Sequence, residues 1–411
     1  MITVDEALAH ILERARPVGA RLVPLEESLG LVLAADITSD VDSPPHDKSI
    51  VDGYAVIADD LRSGPAQLAI LEEVVAGALP RAAVTSGSAT RIMTGAPIPA
   101  GADAVVMIEQ TALVDRHGSG LGAVAINDPD VRAGRNIVRR ASVMRSGDVV
   151  LRRGVVVRPA EIGLLAEVGR AQVDVVPRPT VAVLPTGNEL VDYCCLPAAG
   201  QIRNSNGPML AAAARNAGAE PMLLPIARDD ETDLRQKIAT GLDADVLLLS
   251  GGVSAGVLDL VPRVLADLGA REVFHKVRLK PGKPLWFGTV EREDRMTLIF
   301  GLPGNPVSSF VCFELFVRPA LARLRGEEAA TGRRAQARLE CDHQQRGDRQ
   351  TFFPAKYRLT EAGESRVQPV AWQGSADLRG LVEANALVAF APGDRLYAAG
   401  ETVEVVLLSG W

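Results

Sequence analysis

Aromatic side chains are scarce: Phe, Trp and Tyr together supply 4% of the 411 residues. A core built on large rings is therefore excluded, and the abundance of Ala, Val, Leu and Gly favours closely packed α/β layers. Positive charge is not in excess either. The formal net charge of −7 gives no broad affinity for nucleic acid and no reason to expect a membrane surface as partner. No apolar run approaches the roughly 20 residues that span a bilayer. Cysteine is limited to Cys194, Cys195, Cys312 and Cys341. Cys194 and Cys195 are adjacent, a poor geometry for bridging each other, and Cys312 falls in an apolar helical stretch and reads as core. No CxxC or Cys/His spacing suggests zinc, and the five histidines are scattered. The N-terminus, MITVDEALAHILERA, opens with a capping box (Thr3, Glu6) and an amphipathic helix, not a secretory signal. A reduced, cytoplasmic protein is expected.

At this length a single core is excluded and two to four domains are expected. Residues 1–38 read as helical, turning extended near LGLVLAADI. Beyond them come short strands and turns without helical periodicity, so 39–146 reads as a β-rich domain. Residues 147–176 hold a strand pair and a helix placed to pack against the N-terminal one, which makes 39–146 an insertion in a discontinuous helical domain, 1–38 plus 147–176. After Pro177 and Pro179, strands and helices alternate through TVAVLPTGNEL, NGPMLAAAARNAG, AEPMLLPIARDD and DVLLLSGG. That βαβ series predicts a mostly parallel sheet over 177–325. Residues 326–411 read as a small all-β domain. The fold class is multidomain α/β plus β.

Within the βαβ region the stretch DVLLLSGGVSAGVLD (Asp245–Asp259) predicts a buried strand ending at Ser250, a loop through Gly251, Gly252 and Ser254, then a helix start. Glycine there lets the main chain take positive φ and approach a ligand closely. Unpaired amides at the helix start suit a phosphate or another oxyanion. Leu298–Phe300 followed by GLPGNPVSS repeats the design, with Gly304 keeping the backbone open and Asn305 and Ser308/Ser309 placed to cap the incoming helix. Between the two lies HKVRLKPGKPLWFG, in which Lys276, Lys280 and Lys283 bracket a Pro-Gly turn. Two amide-rich turns and three ammonium groups near neighbouring strand ends describe a site for a polyanionic small molecule, where open α/β sheets place their ligands.

Further constellations sit elsewhere. Asp47, Ser49 and Asp52 lie in the polar loop PPHDKSIVDGYAV, Thr94 stands at the mouth of the TGAPIPAG turn, and PTGNEL puts Thr186, Gly187 and Glu189 just after the first βαβ strand. Each acid alone is a cap or turn former. Collected at one sheet edge beside lysines, Glu189, Asp229 and Asp259 suggest Mg²⁺ with phosphate handling, since Mg²⁺ takes one or two carboxylates plus substrate phosphates and waters.

With these motifs in view, the chain resembles the molybdopterin molybdenumtransferases, the MoeA family that also includes the gephyrin E domain. TGAPIPAGADAVVMIEQT, PTGNEL, SGGVSAGVLD, KPGKP and GLPGNPVSS occur in family order and spacing along essentially the whole sequence. The resemblance implies four domains, including a molybdopterin-binding type βαβ domain. It implies an elongated homodimer with a cleft shared between subunits, the βαβ domain of one protomer facing the β-rich insertion of the other. It implies a Mg²⁺-dependent reaction in which adenylylated molybdopterin and molybdate give molybdenum cofactor and AMP, and allows transient contact with a molybdopterin adenylyltransferase. By matching motif, Asp52, Thr94, Glu189, Asp229, Asp259, Lys276, Lys280 and Ser375 fall on family functional positions. Lys283 and Asn305 take supporting roles.

The chain also departs from the family pattern. Ala141-Ser142-Val143 replaces Gly-Glu-Asp at the exit from the insertion, and His46, Lys48 and Val51 replace the usual Phe, Asn and Met. In the C-terminal domain Pro354 stands where the family often has an Arg implicated in holding molybdate, leaving Arg349 and Lys356 as substitutes. Two other readings stay open: a divergent paralogue that binds pterin nucleotide without completing metal transfer, and a molybdopterin adenylyltransferase.

Overall fold

The apolar run that ends at Ser250 forms the strand Val246–Ser250, buried along its whole length. In the computed structural model, which describes residues 1–114, 121–252, 260–292, 295–327 and 334–408, this strand is central in a six-stranded sheet. The order is Glu220–Leu223, Thr180–Pro185, Val246–Ser250, Arg295–Leu302, Trp286–Arg292, Arg271–His275. The first four run parallel and the last two joins are antiparallel. Alternate residues feed opposite layers, as the two-residue period of a strand requires. Val181, Val183, Leu248 and Phe300 join one core cluster, while Ala182, Leu184, Leu247, Leu249 and Ile299 join the other. Burial on both faces explains why these strands read as unbroken apolar runs.

The chain divides into two compact bodies: Met1–Ala35 with Arg153–Ile162 and Gln172–Trp411, and Asp36–Arg152 with Gly163–Ala171. The first contains the α/β sheet, the N-terminal helix and a C-terminal barrel. Its helix Val4–Arg14 carries the expected capping box, Glu6 N donating to Thr3 Oγ1 (3.2 Å) and Thr3 N to Glu6 Oε2 (2.8 Å). Helical structure does not continue to residue 38. After Pro17 and Gly19 the chain forms the strands Arg21–Pro24 and Val32–Leu33, both antiparallel to Gln172–Val176. Proline, lacking an N–H, cannot continue the helical ladder. Val4, Ala7 and Ile11 share a cluster with Phe313, Phe316 and Leu321, so the N-terminal helix packs on the helical stretch Pro306–Leu324 in place of the expected partner within 147–176. That stretch passes through one π-helical turn at Phe313–Val317, just before Pro319. Cys312 is buried within it, as a core residue should be.

The C-terminal strands close on themselves. Gln350–Leu359 pairs with Ser365–Pro369 and with Ala386–Phe390, and Thr402–Leu407 joins Ala386–Phe390 to Arg334–Leu339, which meets Ser365–Pro369. Leu279–Lys280 pairs in parallel with Gln350–Thr351, tying the lysine-bearing turn to the barrel.

The second body is built on a six-stranded sheet ordered Ala104–Met107, Gly53–Val56, Ser88–Ile92, Ala66–Val74, Ala123–Ile126, Thr111–Val114. Tyr54, Leu68, Val106 and Ile126 fill its main core. No helix among the described residues is long and apolar enough to cross a membrane.

Candidate anion-binding site

The first body carries a cavity of about 1050 Å³ at the carboxyl ends of Thr180–Pro185, Val246–Ser250 and Arg295–Leu302. Both glycine turns open onto it. Gly251 donates its N–H to Leu302 O (3.1 Å) and has φ +96°, with room for no side chain: a Cβ there would sit 2.8 Å from Thr186 O. Gly304 faces it so closely that a Cβ on Gly304 would be 3.9 Å from Gly251 Cα. Asn206, at the start of the helix Asn206–Asn216, ties the two turns together. Its Nδ2 donates to Ser250 Oγ (2.8 Å) and to Gly304 O (2.7 Å). Its Oδ1 is buried with no hydrogen-bond partner among the described residues.

Charge in this cavity is strongly one-sided. Among the described residues Arg203, Lys280, Lys283 and Arg349 line it, against the single carboxylate of Glu189. Neither lysine has a carboxylate partner among the described residues. Arg203 is brought to the rim by the short parallel pairing of Leu190–Val191 with Ile202–Arg203. Arg349 donates to Leu279 O (3.1 Å) from the barrel side. Burial, and then the nearby Lys280 ammonium, push the His343 imidazole below its ordinary pKa, so His343 adds no positive charge to that of Arg349 at neutral pH. The barrel contributes Phe353 and Trp372 instead, packed edge to face with centroids 5.1 Å apart.

Of the residues expected from the sequence, Glu189, Gly251, Lys280, Lys283, Gly304, Asn305 and Ser375 line this one cavity. Asn305 occupies the N-cap position of the helix Pro306–Cys312, but its side chain makes no cap. It donates from Nδ2 to Ser375 Oγ (3.0 Å), joining the α/β loop to the barrel. Ser309 turns its hydroxyl back to Pro303 O. Three expected residues lie off the cavity wall. Gly252 is wedged between Thr186 and Val261. Lys276 takes a left-handed φ of +72°, its N–H bound to Leu285 O. Asp229 is exposed and accepts from Asn188 N (3.4 Å). Ser254 and Asp259 lie outside the described residues. In the second body Asp52 Oδ1 accepts from both Thr94 N and Thr94 Oγ1 at 2.7 Å, and these bonds hold its carboxyl below the usual aspartate range.

Arg203, Asn206, Phe353 and Trp372 escaped the sequence reading. Only Asn206 carried a signal, the helix-start pattern NSNGP. Of the two candidates to replace the arginine absent at Pro354, Arg349 lies on the cavity, whereas Lys356 is exposed and paired with Glu383 at 3.0 Å.

Comparison with known proteins agrees along the whole chain. Residues 2–169 match the MoeA N-terminal region (domain I and II), 182–323 the probable molybdopterin binding domain, and 336–408 the MoeA C-terminal region (domain IV). The chain belongs to the MoeA family. Among its relatives is the molybdopterin molybdenumtransferase of Bacillus subtilis (strain 168), 36% identical, covering 99% of this chain and 94% of the relative. That of Staphylococcus aureus (strain COL) is 35% identical over 99% and 95%. A crystal structure of the Pyrococcus horikosii MoeA protein superposes with a TM-score of 0.83 at 31% identity, covering 100% of both chains. This MoeA-family chain is thus a transferase of molybdenum cofactor biosynthesis.

Among the described residues no group of three His, Cys, Asp or Glu side chains is arranged to hold a metal ion. The donor that the cavity does offer is the Glu189 carboxylate, a hard oxygen ligand. One carboxylate completed by ligand phosphates and water fits Mg²⁺.

Proposed function

We propose that this chain inserts molybdenum from molybdate into adenylylated molybdopterin, with release of AMP, and that it requires Mg²⁺. The observation that supports this reading most directly is the junction of two glycine turns with four cations in one cavity. Lys280 and Lys283, neither ion-paired among the described residues, offer compact charges suited to phosphate and to the molybdate dianion. Arg349 offers a planar fork able to hold two oxygens of an oxyanion at once. The flat faces of Phe353 and Trp372 suit the ring of the pterin or the adenine. The main chain at Gly251 and Gly304 lets the anhydride approach the strand ends. Glu189 would hold Mg²⁺, which when bound neutralises phosphate charge and positions water at the anhydride. Holding molybdate beside the dithiolene makes the transfer step mainly one of proximity.

In the same reading the protein is a homodimer, and the Asp52–Thr94 pair of one protomer serves the cavity of the other. Asp229 and Asp259 then act with Glu189 in handling Mg²⁺ and phosphate, Ser254 and Lys276 act in substrate binding, and contact with a molybdopterin adenylyltransferase delivers the adenylylated substrate.

The test is reconstitution with purified protein, adenylylated molybdopterin, Mg²⁺ and molybdate. AMP release together with active cofactor is expected. Retention of bound nucleotide with no AMP would favour the non-transferring paralogue, a reading supported by Pro354. ATP consumption with free molybdopterin would favour the adenylyltransferase.

A further inference from the structure

Beside the cavity, the chain makes an excursion between Leu190–Val191 and Ile202–Arg203, closed at its base by their parallel pairing. Cys194 and Cys195 lie on it, both exposed and both free. Their Sγ atoms are 4.0 Å apart, though neighbouring side chains along an extended chain point to opposite sides. A turn that begins at Asp192 brings them together: Cys194 N donates to Asp192 Oδ1 (3.2 Å) and Cys195 N to Asp192 O (3.0 Å). The Arg203 guanidinium fixes the far side, donating from Nε to Cys195 O (2.9 Å). The backbone that presents the pair is thus held from two directions.

We infer that the Cys194–Cys195 dithiol is a binding site for one soft, thiophilic d¹⁰ cation of the Zn²⁺ or Cd²⁺ kind. With metal–sulfur bonds of about 2.3 Å, a 4.0 Å sulfur separation subtends roughly 120° at the metal, near the tetrahedral angle of a thiolate site. A disulfide would need the sulfurs at about 2.05 Å, so both sulfurs of the pair remain available to a single ion. Soft thiolates select such ions over Mg²⁺, which separates this site from the oxygen donor Glu189. Among the described residues no cluster of three His, Cys, Asp or Glu side chains completes the coordination, so water or an external ligand fills the remaining positions.

Binding exchanges two S–H bonds for two metal–sulfur bonds and releases two protons, with no change of oxidation state. Because binding displaces those protons, affinity rises with pH. Arg203 also lines the anion cavity, so the metal-bearing backbone and the anion site share one side chain.

The experiment is a titration of the reduced full-length chain with Cd²⁺ in chelator-free buffer, followed through the thiolate-to-cadmium ultraviolet charge-transfer band. One Cd²⁺ per chain and two protons released are expected. The band should vanish in Cys194→Ser and in Cys195→Ser, both surface changes, and persist in Cys341→Ser. Absence of the band in the unaltered chain would overturn the inference. So would its survival in both Cys194→Ser and Cys195→Ser, its loss in Cys341→Ser, or a stoichiometry of one ion per two chains.

Discussion

Charge is arranged oppositely around the polar loop of the second body and in the cavity of the first. In the second body the acids of the polar loop are fully engaged. Asp42 accepts from Arg140 Nε (2.6 Å) and Ser146 N (2.9 Å), Asp47 from Arg139 Nη1 (2.5 Å) and Arg140 N (2.8 Å), and Asp52 from Thr94. In the first body Lys280 and Lys283 stand on the cavity without an ion-pair partner among the described residues. Paired charges fix a loop. Unpaired cations around glycine turns leave electrostatic work for a ligand to complete, and that contrast locates the anion site.

The largest expected effect breaks the cavity's geometry. Gly251→Ala places a Cβ 2.8 Å from Thr186 O at φ +96°, which should cost about 2–3 kcal/mol of stability and remove transferase activity. Urea unfolding and AMP release measure the two. A wild-type midpoint with full turnover would mean that the turn has no need of glycine.

Asn206→Ala removes the side chain that bridges Ser250 and Gly304, at an expected cost of about 1–3 kcal/mol. Substrate affinity should fall with it, because the two turns lose their common tie. Thermal unfolding beside nucleotide titration checks whether both change.

Arg349→Ala should weaken molybdate binding about tenfold or more, the loss of a charge-assisted contact of about 1.5–3 kcal/mol. Lys356→Ala, which disrupts only an exposed pair with Glu383, should leave binding within about twofold. Equal effects would remove Arg349 from its role.

The smallest effect concerns acid. Hydrogen bonds depress the carboxyl pKa values of Asp42, Asp47 and Asp52 in the folded protein. A depressed folded value stabilises above the unfolded value of about 3.9 and loses that contribution as pH falls through the folded one. The second body should therefore weaken below about pH 4, less so after Asp47→Asn. In the first body the Arg158 guanidinium holds Glu161 down to about 2, so that contribution is lost progressively from the unfolded carboxyl range down to this value. A probe of the second body monitored from pH 5 to pH 2 in the unaltered chain and in Asp47→Asn checks this; an identical acid dependence in the variant would contradict the assignment.

The difference between the bodies also decides what could be read from the sequence. Gly251, Gly304, Lys280 and Glu189 lie directly after or beside apolar runs, so periodicity and turn chemistry put them at strand ends. The capping box at Thr3 and Glu6 is local and was equally legible. Arg203 reaches the cavity through a two-residue strand pairing, and Phe353 and Trp372 reach it because the barrel is tied to Lys280 through Thr351. Such placements depend on long-range packing, to which no short window of sequence is sensitive. The apparent helix over residues 1–38 failed for a related reason. Its amphipathic pattern outlasts Arg14, but Pro17 ends the ladder and Gln172–Val176 recruits Arg21–Pro24 into a sheet.

The most direct measurement is calorimetric titration of molybdate into the full-length chain and into Lys280→Ala/Lys283→Ala. If the unpaired lysines hold the oxyanion, the double variant should lose affinity about 100-fold, two charge-assisted contacts together, while its stability stays within about 0.5 kcal/mol of the original. Undiminished molybdate affinity in a folded double variant would contradict the cationic cavity as the place where the metal oxide dianion is held.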